Sequence, residues 1–257
     1  MNKFTFIAFV CAVLSFAACG DDSSSVEPSL EESSSSVVLS SSSSFSVISG
    51  LTGNLLTDSR DGQSYKTVTI GSQTWMAQNL NYETANSYCY NDNASNCTKY
   101  GRLYTWAAAM DSVGTWSANG KGCGYAKTCT PTYPVRGVCP TGWHLPTQAE
   151  FETLFSAVET LFTAVGGFST AGKMLKSTSG WNRSGNGSDA YSFSVLPAGY
   201  RNDDGSYYNE HYSAYFWSSR EYSSDNVVNM YLYYSDDSAY LGSRDKNYGY
   251  SVRCVKD

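Results

Sequence analysis

The stretch CPTGWHLPTQAEFETL, residues 139–154, decides the fold of this chain because it contains the start of its clearest helix. Thr147 and Glu150 have the spacing of a capping box, in which each side chain bonds a backbone N–H group of the other residue. The apolar residues that follow recur every three or four positions, as on one face of a helix. They are Phe151, Leu154, Phe155, Val158, Leu161, Phe162 and Val165. The pattern predicts a helix over residues 147–165 that ends at Gly166 and Gly167.

Short strand patterns lie on both sides of this helix. Before it, SYKTVTI and QTWMA alternate around a Gly-Ser turn and predict a hairpin, and RLYTWAAAMD predicts a short second helix. After it, NDDG at 202–205 predicts another hairpin turn. The predicted late strands are YSFSVLP, AYFWSS, VVNMYLYY, AYLGS and GYSVRCV. Two main helices followed by a run of short strands predict an α+β fold with a loop-rich antiparallel sheet.

The composition disfavours nucleic-acid binding and is typical of a secreted protein. The chain has 257 residues, a formal net charge of −6, 16% charged residues and 15% aromatic residues, including 21 tyrosines. There is no run of lysine and arginine, so we expect no nucleic-acid partner. Few charges with an acidic balance are typical of a secreted domain, and the length fits one domain after a leader.

The N-terminal residues indicate export. MNKFTFIAFVCAVLSFAAC combines Lys3, an apolar run and small residues before Cys19, which predicts a signal peptide over residues 1–18. FAAC resembles a bacterial lipobox and predicts lipidation of Cys19, whose acyl chains would anchor the protein. Residues 19–54 are rich in serine and are expected to form a disordered tether, with a single domain over residues 55–257. We therefore expect a lipid-anchored outer-membrane protein, displayed at the cell surface.

Six cysteines follow the leader: Cys89, Cys97, Cys123, Cys129, Cys139 and Cys254. An even number in an exported domain favours three disulfides, and six cysteines permit fifteen connectivities. Local spacing favours one pair within 89–97 and another within 123–129, which leaves the helix entry to pair with the last strand. A zinc site is the alternative for the two local pairs, but neither has C-x₂-C spacing.

Seven segments occur in an order that resembles the Fibrobacter succinogenes major paralogous domain family. They are DGQSYKTVTIGSQTWMAQNLNY, YGRLYTWAAAM, CPTGWHLPTQAEFETL, AGKMLKSTSGW, FSVLPAGYR, FWSSREY and GYSVRCVKD. The resemblance covers about residues 61–257 and implies an exported domain without a defined activity. HLPTQAEFE, WSS and GYSVRC are also similar to formylglycine-generating-enzyme-like domains, which implies a C-type-lectin-like fold with two helices, a looped antiparallel sheet and a disulfide to the last strand.

The residues do not favour catalysis. The formylglycine-generating reaction needs a reactive cysteine pair before the final strand, and no cysteine lies between Trp217 and Cys254. His144, at the helix entry, is interpreted as a capping or packing residue with a hydrogen bond at one ring nitrogen. His211, beside Glu210, is interpreted as a surface or packing residue, although an acid–base role is the alternative. We expect no enzyme activity and no catalytic residue.

A cofactor is not expected either. Calcium-dependent sugar binding in C-type lectins uses an E-P-N or Q-P-D triplet with W-N-D, and only the W-N part is present at Trp181. A structural calcium ion is a second metal that the sequence leaves open, beside the zinc alternative at the cysteines. Its candidate ligands are Asn182, Asn186, Asp189 and the turn of Asp203 and Asp204.

The excess of tyrosine favours a binding function. Tyr and Trp have an apolar face and a polar tip, which suits them to interfaces and to stacking on sugar rings. The candidate ligand-binding residues are Tyr200, Tyr207, Tyr208, Tyr212, Tyr215 and Tyr222. The alternative is that these rings fill the core. The sequence therefore predicts a non-catalytic adhesion module for polysaccharide or an envelope protein, with a structural envelope protein or an uncharacterised enzyme as alternatives.

Overall fold

The computed structural model describes residues 54–159 and 170–257. Within these residues the chain forms four α-helices and a 3₁₀ turn at Tyr90–Asp92. The helices are α1 (Ala94–Tyr100), α2 (Trp106–Ala109), α3 (Gln148–Glu159) and α4 (Ala171–Leu175). Helix α3 is the predicted long helix and α2 is the predicted short one. The long helix is therefore confirmed as far as residue 159, and the short one only over Trp106–Ala109, because Leu103–Tyr104 form a strand.

The capping box at the start of α3 is formed as predicted. The Glu150 N–H donates to Thr147 Oγ1 at 3.2 Å, and the Thr147 N–H donates to Glu150 Oε2 at 2.7 Å. Phe151, Leu154, Phe155 and Val158 are all buried. The rest of the predicted helix, from residue 160 to the expected stop at 166–167, lies outside the described residues.

Twelve strands in the described ranges form three sheets. The first sheet has the order β1-β2-β3-β12-β6, the second β11-β10-β9-β7-β8, and the third pairs β4 with β5. All of these pairings are antiparallel except that of β7 with β9. The strands are β1 (Leu55–Thr57), β2 (Ser64–Ile70), β3 (Gln73–Met76), β4 (Ser87–Tyr88), β5 (Leu103–Tyr104), β6 (Trp143–His144), β7 (Ala198–Arg201), β8 (Tyr207–Glu210), β9 (Ser213–Glu221), β10 (Asn226–Tyr233), β11 (Ala239–Asp245) and β12 (Val255–Lys256).

Both predicted hairpins form. Ile70 pairs with Gln73 across the Gly-Ser turn of β2 and β3, and Arg201 pairs with Tyr207 across the turn that contains NDDG. The Asn202 N–H donates to the Ser206 carbonyl at 2.7 Å and closes that second turn. The residues of these two turns therefore correctly predicted which strands pair as hairpins.

Two of the predicted strands differ from the structure. YSFSVLP makes no strand, because Ser192 and Ser194 have φ values of 56° and 55°, in the left-handed region that an extended strand cannot contain. GYSVRCV forms β12 only at its end. Its earlier residues make single bridges to three different segments, at Tyr104, Arg201 and Phe216. The backbone there is a connector between sheets rather than a strand of one sheet.

The second sheet separates two hydrophobic cores. Phe216, Met230 and Leu232 face the first core, where they join the apolar face of α3. Trp217 and Val227 face the second core, together with side chains of α2 and of the segment before β12. Alternation along β9 and β10 distributes their side chains between these cores, as expected for period-2 strands.

The three expected disulfides are present. Cys89 bonds Cys97, Cys123 bonds Cys129, and Cys139 bonds Cys254. The zinc alternative for the two local pairs is therefore wrong. The third bond joins the loop before β6 to the residue next to β12, which lies between β3 and β6 in the first sheet.

The described part of the chain thus has few helices, mostly antiparallel sheets and three disulfides, and all of it lies in one compact unit. Across residues 54–159 and 170–257, no helix has both the length and the apolar character to cross a membrane. The predicted signal peptide, Cys19 and nearly all of the predicted tether lie outside the described residues.

Candidate functional site

Eight tyrosines form a continuous group on one side of the second sheet and the segment beside it. We call this group the tyrosine face. Its members are Tyr200, Tyr208, Tyr215, Tyr231, Tyr233, Tyr240, Tyr248 and Tyr250. Tyr215 and Tyr250 are almost fully buried, whereas Tyr208 is 44% exposed and the other five are half-buried. The group therefore has a buried base and an accessible outer layer.

The ring contacts run without a break from β8 to β11. Tyr200 is 5.7 Å from Tyr208 and 5.4 Å from Tyr215, measured between ring centroids. Tyr215 in turn lies 6.1 Å from Tyr231, which stacks on Tyr240 at 5.2 Å with an interplanar angle of 16°. Contacts of this kind contribute about 0.5–1.5 kcal/mol per aromatic pair beyond burial. Each accessible ring is thus held in place by its neighbours.

Strand register explains why these tyrosines share one side. Tyr231 lies directly opposite Tyr215 on β9 and Tyr240 on β11, and Tyr200 lies opposite Tyr208. Residues directly opposite each other in an antiparallel pair project to the same face. The arrangement of the rings depends on how the five strands of the second sheet pair with one another, and not on the closeness of the tyrosines in sequence.

A glycine makes room for the central ring. A Cβ atom at Gly242 would lie 2.9 Å from Cε1 of Tyr231, closer than such contacts allow. The Tyr231 ring therefore lies over the backbone of β11. The same glycine separates Tyr240 from Arg244, whose guanidinium lies 5.9 Å from the Tyr231 ring centroid. Along the side of β11 next to Tyr231, the Tyr240 ring is thus followed by the bare backbone of Gly242 and then by the Arg244 guanidinium.

Three accessible phenol groups of this face have raised pKa values. Burial raises the pKa of Tyr200, and burial together with the carboxylates of Asp203 and Asp245 raises that of Tyr248. A hydrogen bond to the Asp236 carboxylate raises the pKa of Tyr240. Since an ordinary tyrosine has a pKa of about 10, all three hydroxyls stay protonated. Those of Tyr200 and Tyr248 can donate and accept hydrogen bonds, whereas that of Tyr240 donates to Asp236 and can only accept from a ligand.

The tyrosine face includes three of the six predicted ligand-binding residues. Tyr200, Tyr208 and Tyr215 belong to it, although Tyr215 lies in the buried base. The other three lie elsewhere. Tyr207 packs on Tyr90 and donates to Asp92, Tyr212 meets Tyr234 edge-on, and Tyr222 is 72% exposed. The six candidate residues therefore do not share one surface, because alternation along β8 and the turn that follows it send neighbouring rings in different directions.

Five members of the face were not among the predicted ligand-binding residues: Tyr231, Tyr233, Tyr240, Tyr248 and Tyr250. The alternation of MYLYY indicates that Tyr231 and Tyr233 share a face, but it does not say which face is accessible. Pairing VVNMYLYY with AYLGS as a hairpin would have placed Tyr240 beside Tyr231. Tyr248 lies in an irregular segment that carries no such signal.

His144 was interpreted as a capping or packing residue with a hydrogen bond at one ring nitrogen, and in the structure both ring nitrogens are bound. Nδ1 lies 2.7 Å from Asp257 Oδ1 and Nε2 lies 2.7 Å from Glu150 Oε1. Burial disfavours the charged ring, yet the two carboxylates outweigh burial and raise its pKa. The imidazolium therefore ties β6 to the start of α3 and to the residue after β12.

His211 does not form an acid–base pair in this structure. Its Nδ1 binds the Gly180 carbonyl oxygen at 2.8 Å, and its Nε2 lies 3.6 Å from Glu210 Oε1. That oxygen already accepts a hydrogen bond from Tyr100 at 2.9 Å. The imidazole side chain is 45% exposed. His211 therefore makes no hydrogen bond to the Glu210 carboxylate.

Each side chain considered as a calcium ligand accepts at least one hydrogen bond within its own turn. Asn186 Oδ1 accepts from the Trp181 N–H, and both carboxylate oxygens of Asp189 accept from Ser194. Asn182 Oδ1 accepts from the Arg183 N–H, while Asp203 and Asp204 each accept from backbone N–H groups of their turn. Within the described residues, no group of three His, Cys, Asp or Glu side chains is placed to hold a metal ion.

Comparison with known proteins identifies the family of this chain but no individual relative. The model of the Fibrobacter succinogenes major domain matches residues 68–256, which include the whole tyrosine face. No curated protein and no solved structure matches the chain.

Proposed function

The chain belongs to the Fibrobacter succinogenes major domain family, and we propose that it is a non-catalytic surface module that binds polysaccharide through the tyrosine face. The single observation that carries this proposal is the continuous group of rings whose outer members are accessible. Sugar rings have apolar C–H faces that stack on aromatic rings and hydroxyl edges that hydrogen-bond to phenols.

The rigidity of the face supports binding to an extended ligand. Tyrosine offers a large contact area at little cost in side-chain entropy, because only two torsion angles must be fixed. Here the neighbouring rings already fix them. Arg244, Asp203 and Asp245 lie close enough to influence the pKa of Tyr248 and supply a polar rim. An aromatic surface with such a rim matches a chain of sugars that presents faces and hydroxyls in turn.

The anchor and the fold are part of the same proposal. We propose that residues 1–18 are removed on export, that lipidated Cys19 holds the protein at the outer membrane, and that residues 19–54 space the domain from the surface. The fold proposed for residues 55–257 is C-type-lectin-like. It is supported by the bond between Cys139 and Cys254, which joins the helix entry to the last strand.

Retention of the full chain on insoluble neutral polysaccharides tests the proposal. The variants are Tyr208→Ala and Tyr240→Ala, which remove accessible rings from β8 and β11. We expect wild type to be retained on at least one neutral glycan and each variant to bind about tenfold more weakly, equivalent to about 1.4 kcal/mol. Tyr208→Phe, which keeps the ring, should retain most of the binding.

Tyr222→Ala is the matched control, because Tyr222 is more exposed than any ring of the face but lies outside it. Its retention should equal that of wild type. Loss of retention in the control to the same extent as in the face variants would show nonspecific adhesion. No retention of wild type on any glycan or envelope preparation would favour a purely structural envelope protein.

A further inference from the structure

A polar groove lies between the first sheet and helix α1, and none of its lining residues belongs to the tyrosine face. We call it the α1 groove. Its volume is about 490 Å³, which falls within the range of small-molecule sites, about 300–1,000 Å³. Residues from β2, from the segment after β3 and from α1 form its walls. The lining residues are Gln63, Ser64, Tyr65, Lys66, Ala77, Gln78, Asn79, Asn81, Cys97, Thr98, Lys99, Tyr100, Gly101, Ser194, Leu196 and Arg253.

The charge of the α1 groove is opposite to that of the whole chain. The chain has a formal net charge of −6. The groove is lined by three cationic side chains, Lys66, Lys99 and Arg253, and by no carboxylate. Such a local reversal in a concave surface concentrates anions, because low-dielectric walls focus the field.

The two lysines at the groove are available to a ligand. Both are exposed, and Lys66 forms no ion pair with any described residue. Lys99 Nζ lies 3.9 Å from Glu210 Oε1, at the limit of an ion pair, and that oxygen accepts a hydrogen bond from the Tyr100 hydroxyl. Each ammonium group therefore keeps donors free for an incoming anion.

Arg253 adds a buried positive charge that makes no hydrogen bond to a carboxylate, although the charge of Asp189 acts on it from a distance. It is 1% exposed, and its guanidinium donates to Asn79 Oδ1 and to the carbonyl oxygens of Phe193 and Ser194, all neutral acceptors. Burial lowers its pKa to about 9, which still leaves it charged at neutral pH. A charge in low dielectric acts strongly over several ångströms, so this guanidinium favours an anion in the adjoining groove.

The remaining lining suits a ligand rich in hydroxyl groups. Gln78 and Asn81 contribute amides and Thr98 contributes a hydroxyl, and Asn81 Oδ1 has no hydrogen-bond partner among the described residues. The Gln63 amide is bonded to Asp61 and Asn81. Amides and hydroxyls both donate and accept hydrogen bonds, as the hydroxyl groups of a sugar do. A ligand that combines a carboxylate with several hydroxyls matches both parts of this lining.

We propose that the α1 groove is a second binding site, specific for an acidic sugar of the uronic acid type. Lys66 and Lys99 contact the sugar carboxylate, the amides bind its hydroxyls, and Arg253 supplies a fixed positive field beneath them. The site does not depend on the tyrosine face, since the two share no residue.

Calorimetric titration of the full chain with trigalacturonate tests this inference, and the methyl ester of the same trisaccharide removes only the charge. The variant is Lys66→Gln with Lys99→Gln, whose side chains are exposed, so the fold should be retained. We expect wild type to bind the acid, the double variant to bind it about tenfold or more weakly, and the ester to bind at least tenfold more weakly than the acid.

Lys121→Gln with Lys256→Gln is the matched control, because it removes two exposed lysines outside the groove and changes the net charge equally. Its affinity should equal that of wild type. The inference is overturned if wild type does not bind trigalacturonate, if both double variants weaken binding equally, or if the ester binds as tightly as the acid. Because the tyrosine face is tested on neutral glycans, each proposal can fail while the other stands.

Discussion

The bond between Cys139 and Cys254 should contribute more to stability than either local disulfide. It closes a loop with a sequence separation of 115, whereas the bond between Cys89 and Cys97 closes one of 8. In the chain-entropy model these separations correspond to about 5 and about 2.5 kcal/mol of restraint on the unfolded chain. The three disulfide loops do not overlap in sequence, so each can be considered separately.

The perturbation is Cys139→Ala with Cys254→Ala, compared with Cys89→Ala with Cys97→Ala as the matched control. Both remove one disulfide and two sulfur atoms. We expect the first variant to lose about 2 kcal/mol more free energy of unfolding than the second. Urea unfolding followed by circular dichroism gives both the free energy and its dependence on urea.

The urea dependence separates this effect from lost packing. Releasing a loop of this length lets the unfolded chain expand and expose more surface, which raises the slope of free energy against urea. A packing defect at the buried Cys139 and Cys254 would leave that slope unchanged. Equal destabilisation of the two variants, or an unchanged slope in the long-loop variant, would refute the reasoning.

Three other changes have defined outcomes. Because the pKa of His144 is raised in the folded protein, its stabilisation is complete below the unfolded pKa of about 6.5 and is lost as the pH rises through the folded pKa. Urea unfolding at a series of pH values should show this decline in wild type and little of it in His144→Gln. Gly242→Ala should displace the Tyr231 ring, change the near-ultraviolet circular dichroism and weaken polysaccharide retention, with little change in the far ultraviolet. Cys19→Ala should move the protein from the membrane fraction to the soluble fraction, which immunoblotting of the two fractions would check; an unchanged membrane fraction would contradict lipidation.

The helix start and the two hairpin turns were predictable because each depends on residues close together in sequence. Thr147 and Glu150 are three residues apart and satisfy each other's backbone groups whatever surrounds them. The Asn202–Gly205 turn likewise sets the pairing of β7 with β8. YSFSVLP was mistaken for a strand since its alternation does not reveal the left-handed conformations of Ser192 and Ser194.

The binding surfaces were less predictable because they depend on which strands become neighbours. Six crowded tyrosines at 200–222 suggested one site, yet only Tyr200, Tyr208 and Tyr215 share a side of the sheet. The missing members come from β10, β11 and the segment before β12. The α1 groove is more distant still from any sequence signal, since Lys66 and Arg253 are far apart in the chain.

The sequence alone was sufficient to predict the family, the cysteine pairing and the helix that starts within CPTGWHLPTQAEFETL. The order of the segments indicated the family, the spacing of the cysteines indicated their pairing, and local hydrogen bonds at Thr147 and Glu150 fixed the helix start. Only the tertiary structure determined which side of each sheet is accessible to solvent. A tyrosine is a core residue or a surface residue according to what packs above it, and packing is fixed by contacts between residues far apart in sequence. Tyr250 and Tyr248 illustrate this, for they lie two positions apart, and one is buried at the base of the tyrosine face while the other lies half-exposed in its outer layer.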